Sequence, residues 1–276
     1  MRPNDPLLHA AASQVRALAI DYLGSEPRSL LCHVPVESPV NLIYGAKPFV
    51  VMMASPADLE DFAIGFSFTE GLIDRLADIR SIEIEQVTAG LEIKLTLVPD
   101  KMQRLLARAR QLGGRTGCGL CGVEDFSMLP QAAQRAQSRF LPHPSAIARA
   151  LTEIDAQQSL HQLTHGVHGA AWCGLEGEII ALREDVGRHN ALDKLIGALL
   201  RQNISPRSGF VLITSRCSFE MVEKCAAFGA GAVVAISTPT SLAIERARAY
   251  HMSLIGIARR DGALVFDPQG MFREGM

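Results

Sequence analysis

Cys118 and Cys121 lie in Gly113-Gly114-Arg115-Thr116-Gly117-Cys118-Gly119-Leu120-Cys121-Gly122, a run with five glycines in ten positions. That glycine content excludes a helix or strand interior and predicts a mobile loop. Three chemistries suit a cysteine pair of this spacing. A structural zinc site needs further ligands, and no second cysteine pair supplies them, although His165 and His168 in Thr164-His165-Gly166-Val167-His168 offer two imidazoles. A thioredoxin-like redox pair sits at the amino end of a helix after a strand, and this loop lacks that apolar run-in. A sulfur carrier needs a thiolate that attacks a donor persulfide and then travels to an acceptor. Flanking glycines supply the reach, Arg115 could favour the thiolate, and the second cysteine could relay the sulfur or assist release by closing a disulfide. Two small residues packed in a turn is the plain alternative. The residues by themselves leave these accounts open.

A second constellation is Leu182-Arg183-Glu184-Asp185-Val186-Gly187-Arg188-His189-Asn190-Ala191-Leu192-Asp193-Lys194, at a predicted strand-to-helix junction. Arg183 and Arg188 could hold phosphate or a guanine edge, while Glu184, Asp185 and His189 could do acid/base work. A solvated helix start is the bland account. Lone His165 and His168 read as hydrogen-bonded structural histidines and the single Trp172 as core.

Behind these groups stand the elements that must position them. From Phe210 the chain alternates regularly: strand Phe210 to Thr214, helix Glu220 to Phe228, strand Ala232 to Ser237, helix Leu242 to Tyr250, strand Leu254 to Ile257. Such alternation implies parallel pairing with right-handed crossovers, and ligands then collect beyond the carboxyl ends of the strands. Here those ends are Thr214-Ser215-Arg216, Ser237-Thr238-Pro239-Thr240 and Ala258-Arg259-Arg260-Asp261-Gly262, which offer hydroxyls, guanidinium groups and helix amino ends. Upstream, a strand pair is expected around Ala170 to Trp172 and Ile179 to Leu182, followed by a helix from His189 to Leu200. A further helix is expected from Ser145 onward. The first half mixes types: an amphipathic stretch near Leu7 to Tyr22, then a hairpin within Leu30 to Met53 turning at Tyr44-Gly45-Ala46-Lys47. A helix should start at Ser55-Pro56-Ala57-Asp58, with Ser55 as cap, and run to about Gly71. Strands around Ile82 to Val87 and Leu91 to Val98 and a helix over 99 to 111 complete this half.

The division expected is a variable extension over 1–29, a smaller α+β subdomain over 30–112, the glycine–cysteine loop over 113–126 and an α/β subdomain over 127–276. The full 276 residues can bury a proper core, and no stretch approaches a membrane span. With 27 basic and 29 acidic residues the formal net charge is −2, so no overall field recruits nucleic acid or an anionic membrane, and any anion must be bound locally. The amino terminus lacks a secretory pattern, so the cytoplasm is expected, where the six cysteines stay reduced.

Four segments in order, Gly117-Cys118-Gly119-Leu120-Cys121-Gly122, His168-Gly169-Ala170-Ala171, Arg183 to Lys194 and Thr214-Ser215-Arg216, resemble the formate dehydrogenase accessory sulfurtransferase family, FdhD. The likeness extends over roughly residues 30 to 267. It implies a mixed α/β fold, a cytidine-deaminase-like three-layer sandwich with a smaller strand-rich amino-terminal subdomain, working as a homodimer. It also implies a sulfurtransferase that accepts sulfur from a cysteine desulfurase and passes it to molybdenum bis(molybdopterin guanine dinucleotide) before that cofactor enters formate dehydrogenase. In that reading Cys118 carries the persulfide and Cys121 assists. Guanine nucleotide portions of the cofactor are held at strand ends by Ile257, Ala258, Arg259, Arg260, Asp261 and Gly262, with Ser215, Arg216, His168, Arg183, Arg188 and His189 as further candidates. No tightly held metal is expected, and a zinc deaminase is disfavoured by the lack of a His-x-Glu with a downstream Pro-Cys-x-x-Cys. The alternative to sulfur transfer is a non-catalytic escort that only shelters the cofactor.

Overall fold

In a computed structural model, residues 10–22, 26–111 and 140–266 are described. Cys118, Cys121 and the expected loop over 113–126 lie outside the described residues. Strand β1 (Ala12–Ala19) pairs antiparallel with β2 (Arg28–Pro35), from Ala12 opposite Pro35 to Ala19 opposite Arg28. Within the amphipathic stretch, Ala12–Ala19 is thus an extended strand, as the period-two spacing of Val15, Ala17 and Ala19 favours. Strands β3 (Ser38–Tyr44) and β4 (Lys47–Ala54) form the expected hairpin, with Gly45 supplying a positive φ of 62° at its turn.

Helix α1 (Leu59–Thr69) begins four residues after Ser55, with Asp58 at its amino cap. The expected Ser55 cap is lost because all three polar groups of that residue are spent on distant partners. Its amide donates to Asp185 Oδ2 at 2.9 Å, its hydroxyl accepts from the Val186 amide at 3.1 Å, and its carbonyl accepts from Lys194 Nζ at 2.9 Å. Buried hydrogen bonds of this kind outweigh a local cap. Strands β5 (Ile79–Val87) and β6 (Gly90–Leu97) and helix α2 (Pro99–Gln111) follow, giving a four-stranded sheet in the order β4-β3-β6-β5. One face of it buries Leu42, Ile93 and Leu95 against Phe62 and Phe66 of α1, each large side chain contributing about 1.5–3 kcal/mol.

Helix α3 (Pro144–Gln157) starts on His143, whose Nδ1 accepts from the Ser145 amide at 3.3 Å, and the short α4 (Ser159–Thr164) comes next. Then come β7 (His168–Gly174), β8 (Ile179–Asp185), α5 (Arg188–Arg201), β9 (Gly209–Ile213), α6 (Phe219–Phe228), β10 (Ala232–Ala235), α7 (Ser241–Ala249), β11 (Ser253–Arg259) and β12 (Gly262–Phe266). The six strands order as β12-β11-β10-β9-β7-β8, with β9, β10 and β11 parallel and β7 antiparallel to both neighbours. Alternate residues face opposite sides. Trp172, Val211, Ile213, Val233 and Leu254 pack toward α5, α6 and α7, whereas Cys173, Phe210, Leu212, Val234 and Ile255 pack toward α3. The fold is therefore mixed α/β, with this sheet covered by helices on both faces.

The two larger sheets meet through α1 and α5. A Cβ built on Gly65 would fall 1.7 Å from the Asp193 carbonyl oxygen, and one on Gly197 would fall 1.9 Å from that of Asp61. Only paired glycines allow this approach. Beside it the buried Asp61 carboxylate accepts from Arg183 Nε at 2.8 Å and Nη2 at 2.7 Å, and from Arg201 Nη1 at 2.8 Å.

Candidate functional site

The order strand, helix, strand brings three helix amino ends to one end of the six-stranded sheet: α5 beyond β8, α6 beyond β9 and α7 beyond β10. Free amides and aligned peptide dipoles make that end electropositive and suited to anions. Because β7 runs against β9, its first residue, His168, lies at this same end, opposite Asp185 in register. The turns here are laced together. Gly169 donates to Thr214 Oγ1 at 2.8 Å, Cys217 to the Thr238 carbonyl at 3.3 Å, Thr240 to the Cys217 carbonyl at 3.0 Å, and Ile257 to the Ser237 carbonyl at 3.0 Å.

Ser215 is buried and its hydroxyl donates to the Arg216 carbonyl at 3.0 Å, while the Arg216 side chain is exposed. Ile257 has φ 52°, a left-handed conformation that a β-branched residue rarely adopts and that costs about 1–3 kcal/mol. It sits where β11 shifts register against β12. Ala258 is buried in the core, and Arg259, Arg260, Asp261 and Gly262 are exposed beyond it. Arg260 Nη2 is 3.6 Å from Asp155 Oδ2.

Arg188 and His189 open α5. Arg188 Nε is buried without a hydrogen-bond partner. His189 Nε2 lies 3.2 Å from Glu220 Oε2, near enough for an ion contact but not aligned as a hydrogen bond. Glu220, in the first turn of α6, also accepts from Ser218 Oγ at 3.3 Å. Burial alone would raise its carboxyl pKa; His189, Ser218 and Arg188 outweigh that and hold it below the usual carboxylate range. His168 is half-buried, and burial followed by the Arg188 charge pushes its imidazole below the usual histidine value, so it is neutral at pH 7. Glu220 was not visible as a site residue in the sequence; its signal is a carboxylate two positions after Ser218, just beyond Thr214-Ser215-Arg216.

Arg183 is placed elsewhere. Besides Asp61 its guanidinium donates to the Leu182 carbonyl at 2.8 Å, and it lines a cavity of about 340 Å³ along β8 with Ala11, Asp58, Ser159, Leu160 and Glu184. Glu184 and Asp185, candidates for acid/base work, are enclosed as structural acceptors. Glu184 takes the amides of Leu160 at 2.9 Å and His161 at 2.8 Å. Asp185 and Lys194, both with fully buried side chains, pair at 2.6 Å, and Asp185 Oδ1 accepts from Gly187 at 2.7 Å and Asn190 Nδ2 at 3.1 Å. Trp172 is core, edge-on to Phe228.

Among the described residues no group of three or more His, Cys, Asp or Glu side chains could hold a metal ion, and no helix is long and apolar enough to cross a membrane. Cys173, Cys217 and Cys225 are buried, and burial pushes the Cys217 thiol up to about 12 and the other two up as well. Thiols so protonated are poor nucleophiles and poor sulfur acceptors.

Residues 35–272 match the model of the FdhD/NarQ family. The chain is 47% identical to the sulfur carrier protein FdhD of Bordetella petrii over 234 residues, covering 84% of each chain. It is 43% identical to the sulfur carrier protein FdhD of Cupriavidus necator, covering 87% of this chain and 84% of that one. Among solved structures it resembles a candidate formate dehydrogenase accessory protein from Desulfotalea psychrophila. The TM-score is 0.72 at 27% identity, covering 93% of this chain and 96% of the other.

Proposed function

The chain belongs to the FdhD/NarQ family, and from that premise we propose that it is a cytoplasmic, homodimeric sulfur carrier required for formate dehydrogenase activity. Cys118 takes sulfur from a cysteine desulfurase. Its thiolate attacks the outer sulfur of the donor's persulfide, the donor thiolate leaves, and the Cys118 persulfide forms. The acceptor substrate is molybdenum bis(molybdopterin guanine dinucleotide). For delivery, the Cys121 thiolate attacks the inner sulfur of that persulfide, closing a disulfide and expelling hydrosulfide, so two thiols supply the electrons that reduce the carried sulfur to sulfide.

The observation that carries the acceptor side is the convergence of three helix amino ends with Arg188, His189, His168, Ser215 and Arg216 at one end of the sheet. Phosphates and guanine edges are bound by such groups. The exposed Arg259-Arg260-Asp261-Gly262 turn lies beyond the same strand ends and completes the proposed cradle with Ile257 and Ala258. On the donor side the resemblance assigns the sulfur to Cys118 and Cys121, which stand in a glycine run beside Arg115, and three of the four described cysteines are buried thiols unsuited to the role.

The test is intact-mass analysis after incubation with a cysteine desulfurase and cysteine, beside Cys118→Ala and Cys121→Ala. A gain of one sulfur that disappears with Cys118→Ala is expected. No gain on any variant, with the cofactor still bound, would favour an escort that transfers nothing.

A further inference from the structure

Glu220 touches the first turn of a helix other than its own. A carboxylate serving only the dipole of α6 would face the free amides of that helix. This one instead reaches His189 Nε2 at 3.2 Å and takes the Ser218 hydroxyl at 3.3 Å, in the field of Arg188. It therefore ties the amino end of α6 to that of α5, where Arg188 Nε is buried without a hydrogen-bond partner beside the imidazole that Glu220 contacts. Buried donors are seldom left open in a folded protein unless a ligand or water takes them. Glu220 from α6 faces the His189 imidazole, and at the same end of the sheet His168 from β7 lies in the field of Arg188 and His189 from α5, His161 from α4 and Asp185 from β8. Asp185 is already neutralised by Lys194, which leaves Glu220 to offset two helix amino ends and a guanidinium.

We propose that Glu220 is a positioning residue of the strand-end site: it holds the His189 imidazole beside Arg188, so that both side chains meet one phosphate of the acceptor's guanylyl group. This rests on the strand-end reading above. Removing the carboxylate leaves the imidazole free to turn away and takes the counter-charge from its protonated form.

Guanosine diphosphate is the probe, titrated calorimetrically into the full-length protein from about pH 6 to about pH 8, the range in which histidine titrates. Glu220→Gln keeps the shape and removes the charge. It is expected to bind about tenfold more weakly at neutral pH, the scale of one charge-assisted contact, and to move the midpoint of the pH profile downward. Glu220→Asp, which keeps the charge, is expected to restore the midpoint. Equal affinity with an unmoved midpoint in Glu220→Gln overturns the positioning role and leaves the strand-end reading intact. Weaker binding without a moved midpoint also overturns it, since a structural role alone would give that result. A wild-type protein that does not bind the probe overturns both readings. Should Glu220→Gln not fold, His189→Gln takes its place: loss of the pH dependence is expected, and its persistence overturns the proposal.

Discussion

Two stretches of the same charged segment meet opposite fates. Around Asp185 and Lys194 each polar atom has a partner: a carboxylate with four donors, an ammonium between a carboxylate and a carbonyl, all out of water. Three residues after Asp185, at the end of the sheet, Arg188 Nε is buried and remains open. Charge content is alike in both, so what separates structure from function here is whether the fold supplies the partner. A saturated network fixes a backbone path; an open one leaves binding energy for a ligand.

The sharpest way to break that comparison is to empty the saturated side. Lys194→Met strands the Asp185 carboxylate in the core and is expected to cost about 3–5 kcal/mol, read by urea unfolding. Gly65→Ala should come next. Its methyl would collide with the Asp193 carbonyl, so α1 and α5 must separate, at about 2–3 kcal/mol by the same measurement. On the open side the sign of the contrast reverses. Arg188→Gln is expected to leave stability within about 0.5 kcal/mol of wild type while weakening guanosine diphosphate binding.

The smallest effect is a pH dependence from His168. Its folded pKa lies below the unfolded value, so below about pH 6.5 the unfolded chain binds more protons. The associated stability is complete above that value and is lost as pH falls through the depressed one. Comparing thermal melts of wild type and His168→Gln at about pH 7.5 and about pH 5.5 should show the smaller loss in the variant. An equal loss in both would mean that the imidazole is not held neutral.

Local pattern carried much of the fold. The alternation along β7, β9, β10 and β11 sorts residues onto two faces, and the strand–helix rhythm after Phe210 dictates parallel pairing, because both signals are complete within a few residues. Long-range hydrogen bonding was not legible. Ser55 reads as a helix cap because Asp185 and Lys194, its actual partners, are 130 and 139 positions away. Arg183 and Arg188 read alike for the same reason, and only folding shows that Asp61 claims one of them. Glu220 is not legible as a site residue, because a carboxylate in a first helical turn is ordinary and its imidazole partner lies across the gap between helices. The cysteine pair could be read only through its glycines and its family likeness, and it lies outside the described residues.

Ser55 also sets a timetable. Its amide and carbonyl find their partners only once Lys194 has been synthesised, 139 residues later. At synthesis speeds of about 5–20 residues per second, that is a wait on the order of ten seconds. During it the turn into α1 stays hydrated and the emerging four-stranded sheet lacks the helix that covers α1. A ribosome stalled between these two points would therefore hold an amino-terminal half with an exposed apolar flank, a substrate for holding chaperones rather than a finished domain.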